Sequence, residues 1–88
     1  MFYNKAFYRI ITERKEDYQI EKILDSYFES YTMYAARGVY KGEKEDSLII
    51  EIISEDYQAI ISVCHKIKII NNQESVMLQK IKSEVIEI

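Results

Sequence analysis

The spacing of apolar residues along the chain changes several times, and each change indicates a new element of secondary structure. Residues 2–12 are rich in aromatic and β-branched types, which is typical of a strand. From Asp17 onward the apolar positions recur at the spacing of an amphipathic helix. These positions are Ile20, Ile23, Leu24, Tyr27 and Phe28. Glu16 and Asp17 stand at the start of this helix, where the helix dipole favours negative charge.

Two further strands are predicted in the middle of the chain. Residues 31–40 return to strand composition, and residues 48–53 are so apolar that they predict a central strand. Between them, residues 41–46 are polar, with Gly42 near their start. This segment predicts a hairpin connection.

A second helix follows, and its boundaries are indicated by capping residues. Ser54 is a good N-cap, with Glu55 and Asp56 in the first turn. Asn71 or Asn72 can adopt the left-handed conformation that ends a helix when glycine is absent. The apolar stripe of this helix consists of Tyr57, Ile60, Ile61, Cys64 and Ile67. Residues 75–78 and 85–88 then predict one bent strand or two short ones.

The predicted order of elements is β-α-β-β-α-β over a single domain, residues 1–88. This order is that of the α+β ferredoxin-like fold, a four-stranded antiparallel sheet with two helices on one face. The other face must be solvated, bind a ligand or pack on a second subunit. Eight tyrosines favour the last two options, because tyrosine combines a large apolar body with a polar tip. We therefore expect a homodimer or a higher homo-oligomer.

Composition restricts the partners of the protein. A net charge of −3 argues against binding to a nucleic-acid polymer, which normally requires a basic stripe. It still allows a small anionic ligand, because two or three cations suffice for one or two phosphates. No apolar run approaches the roughly 20 residues of a membrane span, and the N-terminus lacks a signal-peptide pattern. With a single cysteine, Cys64, the chain is expected in the cytoplasm.

No catalytic, metal or cofactor site is predicted. Glu43, Glu45 and Asp46 could hold a divalent ion, but a lysine interrupts them and their spacing matches no known ligand set, which favours a solvated turn. Cys64 and His65 are adjacent on a helix and so point to different faces, which argues against a catalytic dyad. Cys64 is expected to be buried, and His65 is expected to be exposed or at an edge. We therefore expect a ligand-binding protein that is not an enzyme.

The end of the second strand carries a first set of candidate binding residues. Arg37 offers a guanidinium fork for phosphate, Tyr40 or Tyr34 a ring for stacking, and Lys41 a point charge. Gly38 would let a ligand approach the backbone. The alternative interpretation is a solvated sheet edge with a glycine bulge.

The end of the second helix carries the second set. Asn72 and Gln73 present both donors and acceptors, the chemistry that reads the edge of a nucleobase, and Glu74 adds a carboxylate. The alternative is that Asn71 and its neighbours cap the helix and do nothing more. If a single helix connects the two sets, it can bring them together.

Two segments carry a resemblance to a known group. They are GVYKGEKEDSLIIEI at residues 38–52 and NQESVM at residues 72–77. They resemble small bacteriophage anti-defence nucleotide-sponge proteins of the anti-CBASS type, whose members carry a Gly-aromatic-aromatic-Lys-Gly block and an Asn-Gln-Glu-Ser-Val turn. Val39 departs from the first aromatic of that block, whereas Tyr40 keeps the second. The resemblance spans residues 30–80.

The resemblance implies a function. Such a protein would bind a cyclic dinucleotide messenger of bacterial immunity, such as cyclic GMP–AMP, and sequester it in the host cytoplasm without cleaving it. The alternative function is that of a small oligomeric regulatory module which inhibits a host protein by direct contact, since the fold alone cannot separate the two.

Overall fold

A computed structural model of the protein describes residues 5–82, 84, 86 and 88. Its elements follow in the order β1 (Ala6–Glu13), α1 (Asp17–Tyr27), β2 (Thr32–Tyr40), β3 (Glu43–Ser54), α2 (Tyr57–Asn71) and β4 (Met77–Ile81). The strands form one antiparallel sheet in the order β2-β3-β1-β4. This is the predicted ferredoxin-like arrangement, and β3 is central, as its apolar composition indicated.

The core lies between the helices and one face of the sheet. Alternate residues of the two central strands point into it, because successive side chains of a strand point to opposite faces. From the sheet these are Tyr8, Ile10, Leu48, Ile50 and Ile52. From the helices they are Ile20, Leu24, Ile60, Val63 and Ile67. No helix of the described part of the chain covers the opposite face of the sheet, and we call it the open face.

The first helix agrees with its predicted stripe. It begins at Asp17, and Ile20 and Leu24 are fully buried. The helix ends at Tyr27, one residue earlier than the stripe, because Phe28 is already extended while its N–H still bonds the Leu24 carbonyl. Phe28 nevertheless packs against the core.

The start of the second helix was predicted wrongly. Asp56, not Ser54, is the N-cap, and its side chain accepts a hydrogen bond from the Ala59 N–H. Ser54 is instead the last residue of β3 and accepts a hydrogen bond from the Asp56 N–H. The strand therefore runs further than its apolar segment, and the cap moves by two residues.

The second helix buries Val63 in the core. Cys64, which was predicted to be buried, is only half-buried.

The connection between β2 and β3 is shorter than predicted. It is a two-residue turn of Lys41 and Gly42, both with positive φ (51° and 79°), while Glu43 already begins β3. A tight turn of this kind needs left-handed backbone at both positions, and its twist matches that of the flanking strands. Residues 43–46 therefore belong to a strand instead of a loop.

The end of the chain is partly outside the described residues. β4 covers Met77–Ile81, so the strand predicted at residues 75–78 begins later and runs further. The strand predicted at residues 85–88 falls partly on residues 85 and 87, which lie outside the described part. Within the described part, no helix is long and apolar enough to cross a membrane.

Candidate functional site

A cleft of about 580 Å³ lies at one end of the sheet, which we call the end cleft. It is formed where β1 ends, where the β2–β3 hairpin passes, and where the loop from α2 enters β4. Its lining residues are Ile11, Thr12, Glu13, Tyr40, Glu45, Ser47, Asn72, Gln73, Glu74, Ser75 and Met77. Its volume falls within the range of about 300–1,000 Å³ that is usual for small-molecule sites.

The loop wall of the end cleft begins at the C-terminus of α2. Asn72 adopts the left-handed conformation (φ 52°, ψ 48°), which the sequence predicted for Asn71 or Asn72. Its N–H bonds the Ile69 carbonyl at 3.1 Å, and the Gln73 N–H bonds the Lys68 carbonyl at 3.0 Å. These bonds satisfy carbonyls at the helix end and fix the direction in which residues 72–75 leave the helix.

A buried hydrogen-bond group fastens this loop to β1. Asn71 is only 2% exposed, and its Nδ2 lies 3.0 Å from Thr12 Oγ1, 2.9 Å from the Glu13 carbonyl and 2.7 Å from Gln73 Oε1. Thr12 Oγ1 also donates to Gln73 Oε1. Lys15 Nζ donates to the Asn71 carbonyl oxygen at 3.2 Å. The loop is therefore held to the end of β1 by side chains, with no strand pairing.

This group decides which of the predicted helix-end residues can meet a ligand. The Gln73 carbonyl oxygen is occupied by Thr12 and Asn71, and its Nε2 donates to the Ser75 carbonyl at 3.3 Å. Gln73 lines the end cleft, but its side-chain amide is already hydrogen-bonded within the protein. Asn72 and Glu74, by contrast, are exposed and line the same cleft. The polar edge of a base would meet Asn72 and Glu74 first.

The predicted strand-end residues are divided between the two sheet faces. Tyr34, Gly38 and Tyr40 lie on the open face. Arg37, whose register partner on β3 is Asp46, points to the opposite side of the sheet. Of this set only Tyr40 lines the end cleft. The Lys41 ammonium lies 5.4 Å from the centre of the Tyr40 ring, so this cation is at the rim. In all, the structure brings Tyr40 together with Asn72, Gln73 and Glu74.

Gly38 has a local structural role. It pairs in regular register with Glu45, so there is no bulge at this position. A Cβ atom placed on Gly38 would lie 3.3 Å from Ser47 Oγ, a lining residue of the end cleft. Glycine at this position therefore leaves room for the Ser47 side chain.

Several lining residues were not predicted as binding residues. Glu45 was expected in a solvated turn, and no binding role was predicted for Glu13 or Ser47. All three lie on the open face at the cleft end of the sheet. Strand alternation places all three side chains on the same face. It predicts this from the sequence only if residues 43–46 are assigned to a strand.

The end cleft is acidic. Glu13, Glu45 and Glu74 line it, and among the described residues no Lys, Arg or His does. Glu13 pairs with Lys15 at 2.8 Å. No ion pair holds Glu45 or Glu74 within the described part of the chain. Two carboxylates are thus left to favour a ligand that carries positive charge.

Cys64 and His65 form no reactive pair. His65 is exposed, as predicted, while Cys64 is half-buried between α2 and β4. Burial raises the pKa of the Cys64 thiol to about 11, so the thiol is neutral at physiological pH. No group of three or more metal-ligating side chains occurs among the described residues either.

The sequence matches no protein-family model and no curated protein. Solved structures are similar in fold over almost the whole chain. A DUF3240 family protein from Shewanella baltica is 7% identical, with a TM-score of 0.74 and coverage of 99% of this chain and 98% of that chain.

Two other solved structures have ligands or activities in their descriptions. CPII, a nitrogen regulatory PII-like protein from Thiomonas intermedia bound to ADP, AMP and bicarbonate, is 15% identical, with a TM-score of 0.63 and coverage of 93% and 96%. A phage SAM lyase in its apo state is 21% identical, with a TM-score of 0.54 and coverage of 99% and 97%. At these identities the likeness shows the shared fold alone.

Proposed function

We propose that the protein binds a small adenosine-containing ligand in the end cleft, that this ligand is S-adenosylmethionine, and that binding withdraws it from the surrounding solution. The observation that carries the proposal is the combination of one aromatic ring, a polar loop and unpaired carboxylates around a cavity of about 580 Å³. Tyr40 supplies a stacking surface, and Asn72 supplies donors and acceptors for the base edge.

The charge of the cleft supports this ligand over a phosphorylated one. S-adenosylmethionine carries a sulfonium, an ammonium and one carboxylate group, so its net charge is positive, and Glu45 and Glu74 can each face one of its two cations. A phosphate in the same place would meet carboxylates with no lining cation among the described residues. Because Glu45 and Glu74 are exposed, solvent screens these interactions, and each charge pair is expected to contribute about 1 kcal/mol.

The structural neighbours support the same ligand class by analogy. The phage SAM lyase acts on S-adenosylmethionine by its description, and the PII-like protein holds ADP and AMP. Both share the ferredoxin-like fold with this chain, and all three ligands contain adenosine. The analogy concerns the fold, and the acidic lining is what selects among these ligands.

A cyclic dinucleotide is the second ligand that we propose, in line with the resemblance to phage anti-defence sponges. It is favoured by Lys41, whose ammonium lies beside the Tyr40 ring at the cleft rim. In this arrangement Tyr40 stacks on a base and Lys41 contacts a phosphate. Arg37 and Lys44 are exposed but point to the opposite side of the sheet, so they do not face this ligand.

Cleavage of S-adenosylmethionine is a second candidate activity for the same cleft. In a lyase step the carbon–sulfur bond breaks and its electron pair leaves with the sulfur as methylthioadenosine, while the neighbouring carbon of the amino-acid portion loses a proton and a carbon–carbon double bond forms. Glu45 or Glu74 would accept that proton as a general base, so the protein needs no nucleophile of its own. Binding without cleavage is the primary proposal, because the described lining residues include no dedicated catalytic set.

One experiment tests both the ligand and its fate. The melting temperature is measured with S-adenosylmethionine, ATP and cyclic GMP–AMP, and the bound compound is then recovered by denaturation and chromatographed. We expect S-adenosylmethionine alone to stabilise the protein, by about 2.7 kcal/mol at a hundredfold excess over Kd, and to be recovered intact. Recovery of methylthioadenosine would establish the lyase, and stabilisation by cyclic GMP–AMP alone would establish the sponge.

We also propose that the protein acts as a homo-oligomer. The support is the open face, where large apolar side chains such as Ile53 and Met77 remain 46% and 57% exposed. Such a surface on a small protein is typical of an interface.

A further inference from the structure

Side chains on the open face are arranged in rows that run across all the strands. The strand register places Thr32, Glu51, Arg9 and Gln79 side by side, one from each strand. This polar row lies between two apolar rows. On one side are Ile53, Phe7 and Ile81, and on the other are Tyr34, Ile49, Ile11 and Met77.

The polar row contains a single ion pair at the centre of the sheet. Arg9 Nη2 lies 2.9 Å from Glu51 Oε2, and Arg9 Nε donates to the same oxygen at 3.0 Å. The two side chains are 34% and 21% exposed, so the pair is already partly desolvated in a single chain. It joins the two central strands, β1 and β3.

We infer that copies of this chain cover one another's open faces, with Arg9 of one copy facing Glu51 of the next. This inference extends the proposed homo-oligomer by assigning its interface. The simplest assembly has a two-fold axis parallel to the strands and midway between β1 and β3. Under that axis each β1 lies over the partner's β3, so that opposite charges meet at the centre.

The same axis places each apolar row over the same row of the partner subunit. Ile11 lies over the partner's Ile49, Phe7 over the partner's Ile53, and Tyr34 over the partner's Met77. Polar Thr32 lies over the partner's Gln79. A two-fold interface must be self-complementary, and this face is complementary in both charge and hydrophobicity. Packed sheets lie about 10 Å apart, a distance that these side chains fill.

The assembly also bears on the end cleft. Ile11 and Met77 belong both to the apolar row and to the cleft lining. A second copy on the open face therefore contacts residues that also line the cleft.

Charge reversal tests the inference, with masses measured by light scattering in the absence of ligand. The wild type is expected at twice the chain mass of 10.5 kDa or a closed multiple of it. Arg9→Glu alone and Glu51→Arg alone should each be monomeric, because like charges then meet. An equimolar mixture of the two variants should regain the wild-type mass, since every contact is again between opposite charges.

The matched control is Lys44→Glu, which changes the charge by the same amount at an exposed residue outside the open-face rows, and it should keep the wild-type mass. Where a reversal variant does not fold by circular dichroism, Arg9→Gln and Glu51→Gln replace it, and each should weaken self-association at least tenfold. Single variants that keep the wild-type mass, or a mixture that stays monomeric, would overturn the inference. Because no ligand is present, these outcomes are independent of whether the end cleft binds adenosine compounds.

Discussion

Replacing both free carboxylates of the end cleft with lysines, in the double variant Glu45→Lys and Glu74→Lys, should weaken S-adenosylmethionine binding by a hundredfold or more. Each carboxylate is expected to contribute about 1.4 kcal/mol, or one factor of ten, to the affinity for a cationic ligand. Reversal adds repulsion to that loss. The affinity is measured by calorimetry, and the effect should decrease with added salt because the cleft is open to solvent.

A matched variant distinguishes the effect of losing the two cleft carboxylates from the effect of changing the net charge of the protein. Glu21 and Glu55 are exposed and lie outside the end cleft, so Glu21→Lys with Glu55→Lys makes the same change in total charge. This variant should bind within about twofold of the wild type, a difference near 0.4 kcal/mol. Equal losses in both double variants would mean that long-range charge, and not the cleft, governs binding.

Asn71→Leu should lower the free energy of unfolding by about 1–3 kcal/mol, the usual cost of leaving buried hydrogen-bonding groups without partners. The leucine keeps the shape of asparagine but removes the donor that lies against Thr12, the Glu13 carbonyl and Gln73. The Asn71 Oδ1 atom has no partner in the described structure, so its removal offsets part of the loss. Urea unfolding measures the change.

The neighbouring asparagine provides the control. Asn72 is exposed and left-handed, a conformation that glycine adopts without strain. Asn72→Gly should therefore change stability by less than about 0.5 kcal/mol. If Asn71→Leu were as harmless as Asn72→Gly, the buried group would not be what fastens the loop to β1.

The fold could be predicted because its signals are local. The helical spacing from Ile20 to Phe28 and the apolar segment at residues 48–53 each identify an element without reference to the rest of the chain. The errors arose where a polar segment takes part in a strand. Residues 43–46 are polar yet pair with β2, because a two-residue turn leaves them within the ladder.

The candidate site was harder to predict, because its geometry depends on contacts between distant residues. Alternation along β2 places Arg37 and Tyr40 on opposite sides of the sheet, although the two residues were predicted to form one site. The role of Gln73, in contrast, follows from Thr12, which is 61 residues away along the chain. No local pattern indicates that such an amide is already occupied.

The affinity of the wild-type protein for S-adenosylmethionine and for S-adenosylhomocysteine tests the central claim most directly. The two compounds share adenosine and the amino-acid portion, and they differ by the methyl group that makes the sulfur a cation. An acidic cleft predicts that calorimetry will give at least tenfold tighter binding of S-adenosylmethionine, about 1.4 kcal/mol. Equal or tighter binding of S-adenosylhomocysteine, or no binding of either, would contradict the account.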